Sequence, residues 1–182
     1  IAYGNVLEAL AALYLTVKQY EKANLFAIEN LKVTERRFSK ESRFYALALN
    51  LLANTEAHLG LYTQAENRFL EAVKIEEKLN TNQPDDKRTP VNSMNYLGRL
   101  YHRMGNSATA YNYYSRANKQ MLGHLNDNKQ YRYLSDNEKE LFLSRYKEWI
   151  GIHNYLYLTR DTENPSVTSQ MYDNALATKG LL

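Results

Sequence analysis

Cysteine is absent from the 182 residues, which excludes disulfide staples, thiolate zinc sites and a cysteine nucleophile within this chain. The redox compartment stays open, because a cysteine-free chain fits either. No apolar run approaches the ~20 residues that cross a bilayer, so no membrane span is expected. The opening IAYGNVLEALAALYLTV lacks a basic n-region and a small-residue cleavage site, so it does not read as a secretory signal. A cytoplasmic chain is the expectation. Its first residue is Ile1 and helical patterning is under way by Val6, which reads as a segment of a longer protein. Charge of one sign is also scarce. A net charge of +3 and a pI of about 8.9 are too mild to imply nucleic acid.

The usual signatures of catalysis are missing too. His58, His102, His124 and His153 never fall four residues apart, and no HExxH occurs, so no metal site is expected. There is no GxSxG elbow and no glycine-rich phosphate loop. The carboxylates of EKEL and IEEKL sit beside lysines, as on a solvated, ion-paired helix face. Neither an enzyme nor a cofactor is expected here. The basic run TERRFSKESR places Arg36, Arg37, Lys40 and Arg43 around Phe38, but Glu35 and Glu41 interrupt it. It reads as a solvated inter-helix segment rather than an RNA contact.

What the chain has is tyrosine, sixteen of them, and internal repetition. Tyrosine buries a ring while keeping a hydroxyl wet, which suits grooves between helices and recognition surfaces. Three stretches align, starting at Leu7, Leu49 and Met94, each reading as two helices joined by a tight turn. The first helix carries Leu10, Leu52 or Leu97 followed by Ala11, Ala53 or Gly98. The second carries Ala23, Ala65 or Ala110, where a small residue admits close approach. One turn later comes Ala27, Phe69 or Tyr114 on the same face. Gly60 and Gly105 stand in the turns, where a left-handed residue ends a helix at little cost.

This register resembles the tetratricopeptide (TPR) repeat over residues 5 to 125, with pairs at about 5–38, 41–80 and 88–125. The repeat is longer than the usual ~34 residues: 42 from Ala23 to Ala65 and 45 from Ala65 to Ala110. It is similar to the long-repeat class of kinesin light chains and many bacterial arrays. The resemblance implies an all-α, right-handed TPR superhelix of about three helix pairs, an α-α solenoid whose neighbours share one core.

Residues 126–182 leave the repeat and read as two helices that cap or join the solenoid. Ser135 and Glu138 have capping-box spacing at the start of LSDNEKELFLSRYKEW, with Leu134 and Lys139 at the staple positions. Leu141, Phe142, Arg145, Trp149, Ile152 and Leu156 continue at helical spacing. Asn164 and Pro165 then start a last helix carrying Met171, Ala175 and Leu176, which Gly180 stops. The order of long repeats, LS-x-x-E helix, ENP break and YDNAL-x-x-KGLL resembles the junction of bacterial CHAT proteins. In that family a TPR array leads into a caspase-like peptidase domain. The resemblance implies a non-catalytic sensing or regulatory arm, with a caspase-like domain attached or associated. The catalytic His and Cys of that domain have no counterpart here.

The first helix of each pair should line the concave face. Asn50 and Asn95 share one repeat position, with Asn54 and Arg99 one turn further on; Glu8 and Ala12 break the ladder in the first repeat. An asparagine amide can pair with a peptide backbone as both donor and acceptor. Arg99, His102 and Arg103 add positive charge for an acidic ligand or chain terminus. The expected partner is a protein or peptide held by Asn50, Asn54, Asn95, Arg99, His102 and Arg103; the bland alternative is that the asparagines only tie neighbouring helices together. A stand-alone TPR adaptor, or the TPR array of a bacterial signalling or transcription regulator, are the other readings of the whole chain.

Overall fold

The computed structural model describes residues 2–82, 91–127, 134, 135, 137 and 138. All its regular elements there are helices: α1 (Ala2–Thr16), α2 (Tyr20–Arg37), α3 (Arg43–His58), α4 (Tyr62–Asn82), α5 (Val91–Arg103) and α6 (Ser107–Asp127). The chain divides into two compact units, Ile1–Leu100 and Tyr101–Leu182. In the first, α1 packs on α2, α2 on α3 and α3 on α4.

Close approach comes from alanine. Ala11, Ala23, Ala27, Ala53, Ala65 and Ala72 are completely buried in the first unit, and so are Ala110 and Ala117 in the second. Ala11, Ala27 and Leu52 form one core cluster, joining α1 and α2 to α3. Tyr45, Ala46, Leu49 and Ala72 form the next, joining α3 to α4. Phe69 and Tyr114 fill, with their rings, the repeat position held by Ala27.

Each hairpin turn ends its first helix in the same way. Gly60 (φ +79°) and Gly105 (φ +77°) are left-handed, and Lys18 takes the same conformation (φ 59°) at the equivalent place. Their N–H groups donate to the carbonyls of Ala57, His102 and Leu15. The following N–H groups, of Leu61, Asn106 and Gln19, donate to Glu56, Tyr101 and Tyr14. This is the Schellman motif three times over. Lysine takes in the first turn the place that glycine holds in the other two, and its Cβ adds steric strain that glycine avoids.

Two of the helix starts are capped by side chains, whereas Gln19 at the head of α2 makes no such bond. Ser42 Oγ accepts from Tyr45 N–H at the head of α3, and Asn106 Oδ1 accepts from Thr109 N–H at the head of α6. Further on, the Glu138 carboxylate accepts from both the N–H and the hydroxyl of Ser135, at 2.9 and 2.6 Å. Those two bonds favour the ionised form and lower the Glu138 pKa. The Ser135–Glu138 spacing thus forms the Glu-to-Ser half of a capping box. The expected helices from Lys139 to Gly180 lie outside the described residues.

Candidate functional site

Asn50 does not face an open surface. It is 3% exposed, and its amide is spent on α5. Its Nδ2–H donates to Ser93 Oγ at 2.7 Å, and the Ser93 hydroxyl lies 3.0 Å from Asn50 Oδ1. A longer contact of 3.5 Å runs from Nδ2 to Glu76 Oε1 on α4. The expectation that Asn50 reads a bound peptide is therefore corrected: the residue ties α3, α4 and α5 together. The physical reason is angular. Successive helical residues are 100° apart, and Asn50 points toward the incoming α5 while Asn54, 40° away, stays half-buried at the rim.

Burial of this knot changes the chemistry of Glu76. Desolvation pushes its pKa up to about 7, against the pull of hydrogen bonds from Ser93 and the nearby charge of Arg43. Oε2 of Glu76 is enclosed and has no hydrogen-bond partner among the described residues. Among the described residues, no three histidines or carboxylates are grouped to hold a metal.

The other expected site residues are distributed as follows. Asn95, Arg99, His102 and Arg103 lie on one stripe of α5, at i, i+4, i+7 and i+8. Asn95 is half-buried and its Oδ1 is enclosed without a partner. Arg99 is half-buried, with its guanidinium 5.9 Å from the Tyr96 ring. His102 is half-buried and Arg103 is exposed. Asn54 lies on α3, one turn beyond Asn50, as the repeat register places it.

A feature the sequence reading missed lies between α1, α2 and α3: a groove of about 280 Å³. Phe44, Leu47, Ala48 and Leu51 form its α3 wall, at i, i+3, i+4 and i+7. Val33 and Phe38 of the α2 end supply further apolar surface, and Phe38 stacks on Phe44 with centroids 4.4 Å apart. Phe44 and Leu47 are exposed. The signal was present in the sequence as a second apolar stripe on α3, beside the buried one of Tyr45, Leu49 and Leu52. Polar groups are few. Asn30 spends its Nδ2–H on the Gly4 carbonyl at 2.8 Å, which leaves Asn5, Thr34 and the rim charges Glu8 and Arg37.

Comparison with known proteins places this architecture. No family model and no curated protein matches the chain. Among solved structures, BtubC (BKLC) from P. vanneervenii is similar over 98% of the chain, with a TM-score of 0.58 and 18% identity. The chain spans 62% of that protein's length. A kinesin light chain-like protein of Podosopora anserina, built of nearly identical TPR-like repeats, is similar over 97% of this chain and 86% of its own. Its two structures give a TM-score of 0.55, at 15% and 16% identity. The fold is therefore TPR-like and all-α, as the repeat register predicts. No helix among the described residues is long and apolar enough to cross a membrane.

Proposed function

We propose that this chain is a non-catalytic protein-interaction scaffold. The observation that carries the reading is the groove: paired helices bury their alanines against one another yet leave Phe44 and Leu47 open beside a short polar rim. An exposed apolar trough on a rigid helical frame is a recognition surface in search of apolar side chains. Asn95 and Arg99 in the first unit, and His102 and Arg103 in the second, each offer a protein or peptide partner further polar groups.

The finer part of the proposal is that this scaffold is the sensing arm of a CHAT caspase-like protease. Long TPR-like repeats followed by the capped Ser135–Glu138 helix start favour that order of parts. Two experiments test the reading. The source reading frame beyond Leu182 either encodes a domain with a His and then a Cys, or it does not. The second uses the full-length product with that cysteine disabled, carrying a photo-crosslinker at Leu47 or, as control, at exposed Lys74. A defined adduct from Leu47 alone supports the scaffold. Adducts from neither position, nor from Arg103, would overturn it.

A further inference from the structure

The groove has a direction as well as an apolar floor. Asn30 of α2 meets Gly4 of α1, which sets the level of the two antiparallel helices. Glu8 lies four residues further along α1, whereas Arg37 lies seven residues along α2 in the opposite sense. At 1.5 Å per residue the two charges stand roughly 16 Å apart along the groove, about three helical turns. Both are exposed, and neither makes an ion pair among the described residues. The N-terminus of α3, the positive end of its dipole, lies at the Arg37 end, beside Phe44. One end of the groove is thus positive and the other negative.

The groove also lacks the groups that an extended peptide needs. An extended backbone exposes one donor and one acceptor at nearly every residue, each of which needs a partner. The α1 and α3 backbones are occupied within their helices. Asn30 is spent on Gly4 and Asn50 on Ser93, so Asn5 and Thr34 remain for that work. A helix brings its own backbone bonds satisfied and offers only side chains. The volume, about 280 Å³, lies just under the roughly 300–1,000 Å³ of small-molecule pockets. A few leucine-sized side chains are of a size to enter it.

Resting on the scaffold reading above, we infer that the groove receives one amphipathic helix of a partner protein, lying antiparallel to α1 and α3. Its N-terminal turn meets Glu8 and its C-terminal turn meets Arg37, so its macrodipole opposes the charges at the two ends. Leucine-sized residues at i, i+3, i+4 and i+7 enter between Phe44, Leu47 and Leu51.

The test uses an acetylated, amidated 16-residue peptide of Ala, Gln and Leu, with leucines at that spacing, followed by chemical-shift titration of the 15N-labelled protein. A second peptide with a central proline cannot form the helix. The helical peptide is expected to perturb α1 and α3 amides around Glu8, Leu47 and Leu51, and to bind at least tenfold more tightly than the proline peptide. A nitroxide at its N-terminus should broaden amides near Glu8, and the Glu8→Arg/Arg37→Glu variant should move that broadening to the Arg37 end. Leu47→Glu, which changes an exposed side chain, should abolish the shifts without changing the melting temperature. Equal binding of the proline peptide, broadening at the Arg37 end of the wild type, or unchanged shifts in Leu47→Glu would each overturn the inference. If the helical peptide fails while the full-length protein still crosslinks a partner from Leu47, the scaffold stands and the helical occupant falls.

Discussion

The carboxylate of Glu56 holds Nε of Arg68 between its two oxygens, 2.9 Å from each. In the first helix pair the same two repeat positions hold Tyr14 and Phe26, and in the third Tyr101 and Tyr113; both are parallel ring stacks with centroids 5.4 and 5.5 Å apart. One structural position is thus filled twice by dispersion and once by charge. The Glu56 side chain is 4% exposed and that of Arg68 35%. Burial raises the Glu56 pKa, and the Arg68 hydrogen bond and charge oppose that rise.

Removing the arginine should therefore hurt more than replacing the pair. Arg68→Ala leaves a buried carboxylate without its cation and should cost about 1–3 kcal/mol in urea unfolding. Glu56→Tyr together with Arg68→Phe reproduces the stack of the first pair and should stay within about 1 kcal/mol of wild type. A double variant much less stable than Arg68→Ala would show that the two solutions are not interchangeable.

The Glu76 carboxyl predicts a pH dependence with a definite sign. Its folded pKa, about 7, is above the ordinary 4.5, so the folded state binds a proton that the unfolded state has already released. Stability from this group is present below about pH 4.5 and is lost as pH rises through about 7, a difference of roughly 3 kcal/mol. Glu76→Gln keeps a neutral side chain at every pH. It should be more stable than wild type at pH 8 and nearly equal to it at pH 4, measured as the difference between paired denaturant melts. A gap that widens toward low pH would refute the assignment.

Asn50→Ala should destabilise, because Ser93 and Glu76 would keep buried polar atoms without their amide. About 1–3 kcal/mol is expected. An unchanged melting temperature would return Asn50 to the binding face.

The left-handed turns give a test by substitution in both directions. An added Cβ at Gly60 or Gly105 would meet nothing within 4 Å, so the cost of Gly→Ala there is conformational alone, about 1 kcal/mol. Lys18→Gly should relieve the same strain and gain several tenths of a kcal/mol, net of the entropy glycine adds to the unfolded chain. Thermal melts that show loss in all three variants would contradict the common turn geometry.

Ala110 is completely buried. Ala110→Leu should overpack that contact and cost roughly 1–3 kcal/mol; an unaltered melt would mean the helices yield there.

The helix pairs were legible because one physical requirement, a small residue where two helices touch, recurs at Ala23, Ala65 and Ala110. Close packing leaves little choice at such a position. The left-handed conformation of Lys18 in the first turn was not, because glycine advertises such a residue and lysine conceals it. Asn50 and Asn54 were read as one face because spacing fixes angle around a helix but not which neighbour arrives there. That depends on where α5 begins its approach, and Ser93 decides it. The groove was hidden for a related reason: α3 carries two apolar stripes, and periodicity counts stripes without saying which one its neighbours cover.

The Asn50–Ser93 bond joins residues 43 apart in sequence, with one partner on each side of the stretch linking α4 to α5. Glu76 before that stretch and Ser93 after it are both bonded to Asn50. For an engineer this makes it a splice port. An epitope tag or fluorescent reporter inserted between Asn82 and Val91 would add only about 0.6 kcal/mol of closure entropy for each doubling of the linking length.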